Sequence, residues 1–596
     1  MKVDKQECIL KGLPASGGIA IGRAFVYERE EVYVHERTLD NGEIDHELTL
    51  LDEAVTRAKD ELEKIAGFAR ENLDENAAAI FEGQLLMLED VELLRALRDR
   101  IRKERKNADF LIHQEIEKHK AILSATDNDM LRARVEDLDE VGQRLLRGMQ
   151  MKRLHANIEG EHVVISTQLT PSDTVLFSRG DVLGYATDLG GITSHAAILA
   201  RSLKIPAVTG LQTITASVET GDLVIIDGQK GLMILHPSDH HISEYREKIR
   251  RIEAFEHALA DVVDKPCVTP DGRKVELSAN AEFVNELEFI ITQGSRGIGL
   301  YRTEHLYLAK GDFPTEQEQY VDYSEIAHIM YPQPVIFRTF DIGGDKLLSG
   351  ALREDNPFLG WRGIRMMLDK QEIFRQQLRA ILRASAMKNI KLMFPMISGM
   401  LELREVLRRL EHVKEELRRE GHRFDEQLEI GVMIEVPSAV FVAEELAREV
   451  DFFSIGTNDL VQYLVAVDRN NELISNLYQE FHPAVLRAIK YTIDTGHRNG
   501  IWVGMCGEMA GNPLATALLL GLGLDEFSMV PSVIPEIKKI IRSVPHQEAQ
   551  LLAEQALALS TSLDVRALLR ADLLKRDPDI FSTVENGNND TADLIT

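Results

Sequence analysis

The chain has 596 residues, which exceeds what one hydrophobic core can organise and predicts about two to four domains. Its 44% hydrophobic and 28% charged residues are typical of a globular protein and exclude a disordered or fibrous one. The formal net charge of −28 argues against a general nucleic-acid binder, and no apolar run approaches the ~20 residues of a membrane span.

The first segment, residues 1–35, is glycine-rich and has the pattern of short strands. Its glycine run is not a dinucleotide-binding fingerprint, because it does not follow a strand and open a helix with a later acidic residue. The opening residues lack the apolar stretch of a signal peptide. The three cysteines are far apart and odd in number, which indicates a reducing compartment and no zinc cluster. We therefore expect a cytoplasmic protein.

The next segment, residues 36–150, has almost no glycine or proline, and its apolar residues recur at spacings of three and four. This pattern predicts several antiparallel helices. Residues 151–237 return to short strands and turns. The simplest interpretation is one α/β domain, formed by 1–35 and 151–237, that is interrupted by an all-helical insertion at 36–150.

A histidine lies at the start of a predicted helix within the segment 190–210. Two glycines open the preceding loop, and Thr193 or Ser194 can cap the helix. His195 therefore lies in the first turn, where unpaired backbone N–H groups and the helix dipole disfavour an imidazolium and favour an anion. A neutral imidazole there can act as a nucleophile whose phosphoryl adduct is stabilised. The alternative is a histidine that only packs at a helix start.

Residues 238–262 are charged and helical and predict a linker helix. In the following region, 263–576, short apolar runs alternate with amphipathic helices, which is the pattern of a (β/α)8 TIM barrel. Residues 577–596 are polar and predict a disordered tail. The eight runs are 275–280, 297–302, 335–338, 391–395, 431–436, 452–456, 502–506 and 526–530.

Polar residues lie at the carboxyl ends of most of these predicted strands, which is the end of a TIM barrel where active sites lie. Arginines there suit bidentate contacts with carboxylate and phosphate groups. They are Arg302, Arg338 and Arg469, with Arg362 on a loop. A solvated rim charge is the alternative for each of them.

The other chemistry at these strand ends comes from two acids, an amide and a thiol. Glu435 and Asp459 offer the hard oxygens that match Mg²⁺, although ion pairs with the same arginines are the alternative. Asn458 can donate a hydrogen bond to a phosphoryl oxygen. Cys506 could donate a proton to a substrate carbon, or it could be inert packing.

Two motifs carry a resemblance to a known family. The sequence Leu-Gly-Gly-Ile-Thr-Ser-His at 189–195 is similar to the phosphohistidine motif of phosphoenolpyruvate-using enzymes. Residues 452–460, Phe-Phe-Ser-Ile-Gly-Thr-Asn-Asp-Leu, resemble their metal and substrate motif. The order of the parts resembles the enzyme I family of the bacterial phosphotransferase system, from about residue 9 to residue 576.

This resemblance implies a phosphohistidine domain with a carrier-binding helical subdomain, followed by a phosphoenolpyruvate-binding barrel that forms a homodimer. Phosphoenolpyruvate would bind with Mg²⁺ at Glu435 and Asp459, and Cys506 would protonate the enolate to give pyruvate. His195 would take the phosphoryl group through Nε2 and pass it to a histidine of a small phosphocarrier protein, with no role for nucleic acid or membrane insertion. The predicted substrate-binding residues are Arg302, Arg338, Arg362, Asn458, Asp459 and Arg469.

The histidine and the barrel lie in separate predicted domains, so we expect the linker helix to act as a hinge whose motion can limit turnover. Two departures from the family concern the transfer step. Position 192 is Ile where members often carry Arg, and Ala196 replaces a frequent Thr. The missing guanidinium and hydroxyl groups are expected to affect the rate of phosphoryl transfer but not the identity of the nucleophile.

Three other functions remain open at this point. A nitrogen-regulatory paralogue usually carries an additional sensory domain. A pyruvate–phosphate dikinase or phosphoenolpyruvate synthase needs a nucleotide-binding domain of about 200 residues, and the sequence has no P-loop. A non-catalytic scaffold would not need Arg302, Glu435, Asp459 and Cys506 together.

Overall fold

The structure is a computed structural model that describes residues 6–27, 33–72, 75–124, 129–150, 161–178, 182–192, 194–343, 354–471 and 473–581. They fall into two compact units, within Met1–Ile252 and Glu253–Thr596. None of the helices in these ranges is long and apolar enough to cross a bilayer.

One eight-stranded sheet organises the first unit, in the order β1-β8-β7-β3-β4-β5-β6-β2. The neighbours from β3 to β6 pair in parallel, and the other pairs are antiparallel. Strands from both sides of the helical segment therefore share one sheet, which confirms the interrupted α/β fold. The strands are β1 (Cys8–Lys11), β2 (Leu13–Ser16), β3 (Ile19–Val26), β4 (His162–Ser166), β5 (Val182–Thr187), β6 (Ala207–Thr209), β7 (Leu223–Asp227) and β8 (Leu232–Leu235).

The inserted helices lie between β3 and β4 and have a core of their own. That core also contains Val175 and Leu199, which come from two helices of the α/β part. The insertion therefore packs directly on the helix that begins at His195. The helices of this unit, with the connecting helix α9, are α1 (Ile44–Asn72), α2 (Glu75–Leu88), α3 (Val91–Glu104), α4 (Ala108–Ser124), α5 (Asp129–Met149), α6 (Pro171–Ser178), α7 (His195–Ser202), α8 (Ile214–Ser217) and α9 (Asp239–Ala260).

A closed barrel of eight parallel strands forms the second unit, and the last strand pairs with the first. Each strand overlaps one of the eight apolar runs, so the predicted barrel is confirmed. The strands are β9 (Glu276–Ala281), β10 (Ile298–Arg302), β11 (Val335–Arg338), β12 (Ile390–Phe394), β13 (Ile430–Ile434), β14 (Phe452–Ile455), β15 (Trp502–Met505) and β16 (Glu526–Met529).

The barrel interior is filled by a small cluster of buried side chains that includes Leu300, Met393 and Cys506, whereas the larger core lies between the strands and the surrounding helices. The barrel interior is therefore packed with side chains and does not form a pore. The helices are α10 (Leu287–Thr292), α11 (His305–Lys310), α12 (Glu316–Met330), α13 (Ile364–Asp369), α14 (Gln371–Ala384), α15 (Met400–Glu420), α16 (Pro437–Phe441), α17 (Ala443–Ala447), α18 (Thr457–Val465), α19 (Pro483–Arg498), α20 (Pro513–Leu522), α21 (Ile534–Ser543), α22 (His546–Ala558) and α23 (Ser562–Arg576).

The prediction that a disordered tail begins at residue 577 is wrong for its first residues. Ile580 is completely buried in the barrel core, and Asp577 forms an ion pair with Lys539. The polar composition of the whole segment concealed the apolar residues at its start. Residues 582–596 of the predicted tail lie outside the described residues.

Candidate active site

His195 is the first residue of α7, as the sequence predicts. Ser194 is the N-cap, and its hydroxyl oxygen accepts a hydrogen bond from the Ala197 N–H at 3.3 Å. The alternative cap, Thr193, lies outside the described residues. Gly190 has a φ of +119°, a region that favours glycine. The loop and cap thus place the imidazole at the positive end of the helix.

A carboxylate from the helical insertion lies beside this imidazole. His195 Nδ1 is 3.3 Å from Asp137 Oδ1, and only 1% of the Asp137 side chain is exposed. The Gln84 side-chain amide donates to Asp137 at 3.3 Å and to Glu140 at 3.0 Å. In the sequence, Asp137 is not distinguishable from the other acids of its helical segment.

A cavity of about 890 Å³ surrounds this position, and His195 is among its lining residues. Its walls come from the helical insertion, through Gln143, and from the α/β part, through Thr170, Thr187 and Thr209. The volume lies within the usual ~300–1,000 Å³ of ligand sites, although the lining here is more polar than usual.

The two departures from the family lie on either side of this cap. The Ile192 side chain is about half exposed, and its carbonyl accepts a hydrogen bond from Arg201 Nη1 at 2.9 Å. The same Arg201 nitrogen donates to the Ala15 carbonyl at 2.8 Å. Arg201 therefore links the loop at Ile192 to Ala15 through hydrogen bonds to their backbone carbonyl groups.

In the second unit, Glu435 and Asp459 lie at the carboxyl ends of neighbouring strands. Glu435 directly follows β13, is 1% exposed, and accepts a hydrogen bond from the Met396 N–H at 2.6 Å. Asp459 lies in the first turn of α18. Gly456 joins β14 to that helix, and a Cβ atom there would lie 2.9 Å from Glu435 Oε2. The short connection thus depends on glycine to leave room for the carboxylate.

Two buried arginines connect the acids at this end of the barrel. Arg362 contacts Asp459 at 3.1 Å and Asp341 at 2.8 Å. Arg338 contacts Asp341 at 3.3 Å and Glu304 at 3.0 Å. The ion-pair alternative is therefore realised for Asp459. Glu304 and Asp341 are site residues that the sequence analysis did not select, although each lies within three residues of a strand end.

Negative charge is in excess around Glu435. Burial, with the charges of Asp459 and Asp341, raises the pKa of Glu435 to about 8 and outweighs the opposing effect of Arg362 and Arg338. A buried carboxylate that resists ionisation in this way is stabilised by a nearby cation. Two carboxylates with hard oxygens therefore fit a divalent ion such as Mg²⁺.

Cys506 directly follows β15 and is 4% exposed in the barrel interior. Burial raises the pKa of its thiol to about 11, so the group carries its proton at neutral pH. Its backbone carbonyl accepts a hydrogen bond from Asn280 Nδ2 at 3.0 Å. The Ser528 hydroxyl in turn donates a hydrogen bond to Asn280 Oδ1 at 2.7 Å. The strand end that carries the thiol is thus fixed.

The remaining predicted residues lie at the rim of the barrel. Asn458 exchanges two hydrogen bonds with Glu508, at 2.9 and 3.0 Å, and Arg469 lies 3.7 Å from the same carboxylate. Arg302 pairs with Glu282 at 2.7 Å. Glu508 thus joins two of the predicted residues, whereas Arg302 contacts none of the others in the ion pairs described. His195 belongs to the first unit and all the others to the second.

Comparison with known families gives three matches along the chain. Residues 11–134 match the N-terminal region of phosphoenolpyruvate-utilising enzymes, residues 158–231 their mobile domain, and residues 256–546 their phosphoenolpyruvate-binding domain. Together these matches include the His195 segment and every strand of the barrel.

Relatives match over nearly their whole length. A phosphoenolpyruvate–protein phosphotransferase of Geobacillus stearothermophilus is 44% identical over 95% of this chain and 98% of its own. One from Haemophilus influenzae is 42% identical over 95% of this chain and 99% of its own. A solution structure of an enzyme I protein is 38% identical, covers 41% of this chain and 99% of its own, and has a TM-score of 0.37.

Proposed function

Because the chain belongs to the family of the phosphoenolpyruvate–protein phosphotransferases, or enzyme I, we propose that it transfers a phosphoryl group from phosphoenolpyruvate to its own His195. From there the group passes to a histidine of a small phosphocarrier protein, and pyruvate is released. This reaction is the first step of sugar uptake by the phosphotransferase system. The names of the curated relatives favour it over a dikinase or a nitrogen-regulatory role.

The observation that carries this proposal is the position of His195 as the first residue of α7, on the wall of a large polar cavity. An imidazole nitrogen attacks phosphorus as the phosphorus–oxygen bond to the enolate breaks. The new phosphoryl group then lies at a helix N-terminus, where backbone N–H groups and the dipole stabilise its charge.

We assign phosphoenolpyruvate to the carboxyl end of the barrel. Arg338 and Arg362 are held in place by buried acids, so their guanidinium groups are already oriented for the phosphate and carboxylate of the substrate. Phosphoryl transfer depends mainly on such positioning and on charge neutralisation. The other substrate contacts come from Arg302, Asn458, Asp459 and Arg469.

Glu435 and Asp459 would hold the divalent cation, which we propose is Mg²⁺. The excess negative charge that raises the Glu435 pKa is the support for this assignment. When bound, the ion would neutralise charge on the phosphoryl oxygens. Arg362, which contacts Asp459 at 3.1 Å, keeps that carboxylate oriented.

Cys506 is the proposed proton donor to the enolate carbon. Its thiol is protonated at neutral pH and lies at the mouth end of the barrel interior. A carbon–hydrogen bond forms as the sulfur–hydrogen bond breaks, and the thiolate then takes a proton from solvent. Pyruvate is the product.

The carrier would dock on the helical insertion, and the barrel would form the homodimer. Exposed apolar side chains support both assignments, among them Leu86 and Val91 on the insertion and Phe441 on the barrel. We also infer a cytoplasmic protein, for which the free cysteines Cys8, Cys267 and Cys506 are the support.

The decisive assay compares two phosphoryl donors. With phosphoenolpyruvate, Mg²⁺ and a phosphocarrier protein, we expect pyruvate release together with phosphorylation of the carrier. ATP should not replace phosphoenolpyruvate. ATP-dependent labelling of His195 would instead indicate a dikinase, and the absence of pyruvate release would indicate a non-catalytic scaffold.

A further inference from the structure

We propose that Asp137 of the helical insertion determines which ring nitrogen of His195 reacts, an inference that rests on the proposed function. The geometry is the 3.3 Å approach of Asp137 Oδ1 to His195 Nδ1. Asp137 lies on α5, whereas His195 begins α7 of the α/β part. The insertion would therefore orient the nucleophilic histidine, in addition to its proposed role as the docking surface for the carrier.

Asp137 is fixed in this place by buried polar partners. The Gln84 amide donates to Asp137 and Glu140, and it is itself completely buried. Glu140 in turn accepts from Arg144 at 3.3 Å, and Arg144 also donates to Ser172 at 2.5 Å. Because Ser172 belongs to α6, this network links the helical insertion to the α/β part beside the imidazole.

A carboxylate can only accept a hydrogen bond, so Asp137 at 3.3 Å would favour the imidazole tautomer with a proton on Nδ1, which could then donate to it. The lone pair is then on Nε2, which is the nitrogen able to attack phosphorus. After attack, the ring of phosphohistidine carries positive charge, which the Asp137 carboxylate 3.3 Å from Nδ1 would stabilise. The proton does not move during transfer, so Asp137 acts as a positioning residue and is not a catalytic residue.

The test is the tautomer of His195 in the full-length protein with ¹⁵N-labelled histidine, recorded above the pKa of the ring. We expect the wild-type spectrum to show a protonated Nδ1 and an unprotonated Nε2. In Asp137→Ala we expect a mixture of tautomers and a carrier phosphorylation rate about 10- to 100-fold lower, by analogy with the loss seen when the carboxylate that orients a metal-binding histidine is removed. Asp137→Asn keeps an acceptor oxygen and should retain the wild-type tautomer.

Asp139→Ala is the matched control, because Asp139 lies on the same helix and lines the same cavity but pairs with Lys120. Its tautomer and rate should equal those of the wild type. Wild-type protein with a protonated Nε2, or an unchanged tautomer in Asp137→Ala, would overturn the inference. Failure of the proposed function is distinguishable, because the wild-type protein would then show the Nδ1–H tautomer but accept no phosphoryl group.

Discussion

Burial sets the protonation of two side chains on which the proposed chemistry depends. It raises the pKa of Cys506 to about 11 and that of Glu435 to about 8. The thiol is thereby kept as an acid at neutral pH, as a proton donor to an enolate carbon must be. The carboxylate carries an electrostatic cost that a bound cation would relieve.

Replacing Cys506 by alanine should slow turnover by about 10²- to 10⁴-fold, the usual contribution of a positioned acid or base. Substrate binding should change little, because the arginines and acids that hold phosphoenolpyruvate remain. Steady-state pyruvate release and equilibrium binding of phosphoenolpyruvate measure the two effects. A large loss of binding with unchanged turnover of bound substrate would assign Cys506 to packing.

The raised pKa values predict a pattern of thiol reactivity. The thiolate is the reactive form, and a pKa near 11 for Cys506 and near 12 for Cys267 leaves both as thiols at pH 8. Iodoacetamide should therefore modify the exposed Cys8 first, and mass spectrometry of peptides identifies the site. Reaction at Cys506 should increase as the pH rises toward 11. Rapid labelling of Cys506 at pH 8 would contradict its assignment as a protonated donor.

Short connections between elements place the reacting groups. The capped start of α7 presents His195, and the turn between β14 and α18 brings Asp459 to the same end of the barrel as Glu435. In the turn between β14 and α18, Gly456 leaves the space that the Glu435 carboxylate occupies, because it has no side chain.

Gly456→Ala should weaken binding of the divalent cation. Its Cβ would lie 2.9 Å from Glu435 Oε2, and overpacking of this kind costs about 1–3 kcal/mol. A titration of Mg²⁺ or Mn²⁺ into the protein measures the loss, which should be about tenfold or more at 1.4 kcal/mol per decade. Gly399→Ala is the control, because no atom of the residues that the structure describes lies within 4 Å of its Cβ position. Equal affinities in the two variants would show that the added methyl group does not displace a ligand of the ion.

The local patterns predicted these elements well, because strand runs, caps and helix periodicity depend on neighbours in the chain. The capped His195 helix and the polar strand ends were visible for that reason. Asp137, Glu304 and Asp341 were not singled out, since their roles depend on contacts that only the folded chain creates. The burial of Ile580 was not predictable from the average composition of its polar segment, because it depends on contacts with the barrel core.

The molecule divides the proposed reaction between two compact units, with His195 in one and the substrate-binding residues in the other. Each unit has its own core, so each can respond to a ligand separately. We propose that α9, which spans most of the predicted linker, is the hinge for their motion.

This division predicts two thermal transitions in calorimetry. Phosphoenolpyruvate with Mg²⁺ should raise the transition temperature of the barrel unit only. At a ligand concentration one hundred times Kd, the free energy of unfolding of that unit should increase by about 2.7 kcal/mol. His195→Ala should leave that stabilisation intact, because the histidine lies outside the barrel. A single transition that shifts as a whole would show that the two units unfold together.

We propose that His195 carries the phosphoryl group between two partners, phosphoenolpyruvate and the phosphocarrier protein. The most direct test incubates the protein with ³²P-labelled phosphoenolpyruvate and Mg²⁺ and then adds the phosphocarrier protein. We predict an acid-labile, base-stable label on His195 that moves to the carrier, and no label in His195→Ala, which should still bind phosphoenolpyruvate. An acid-stable label, or labelling of the carrier by the His195→Ala protein, would contradict the account.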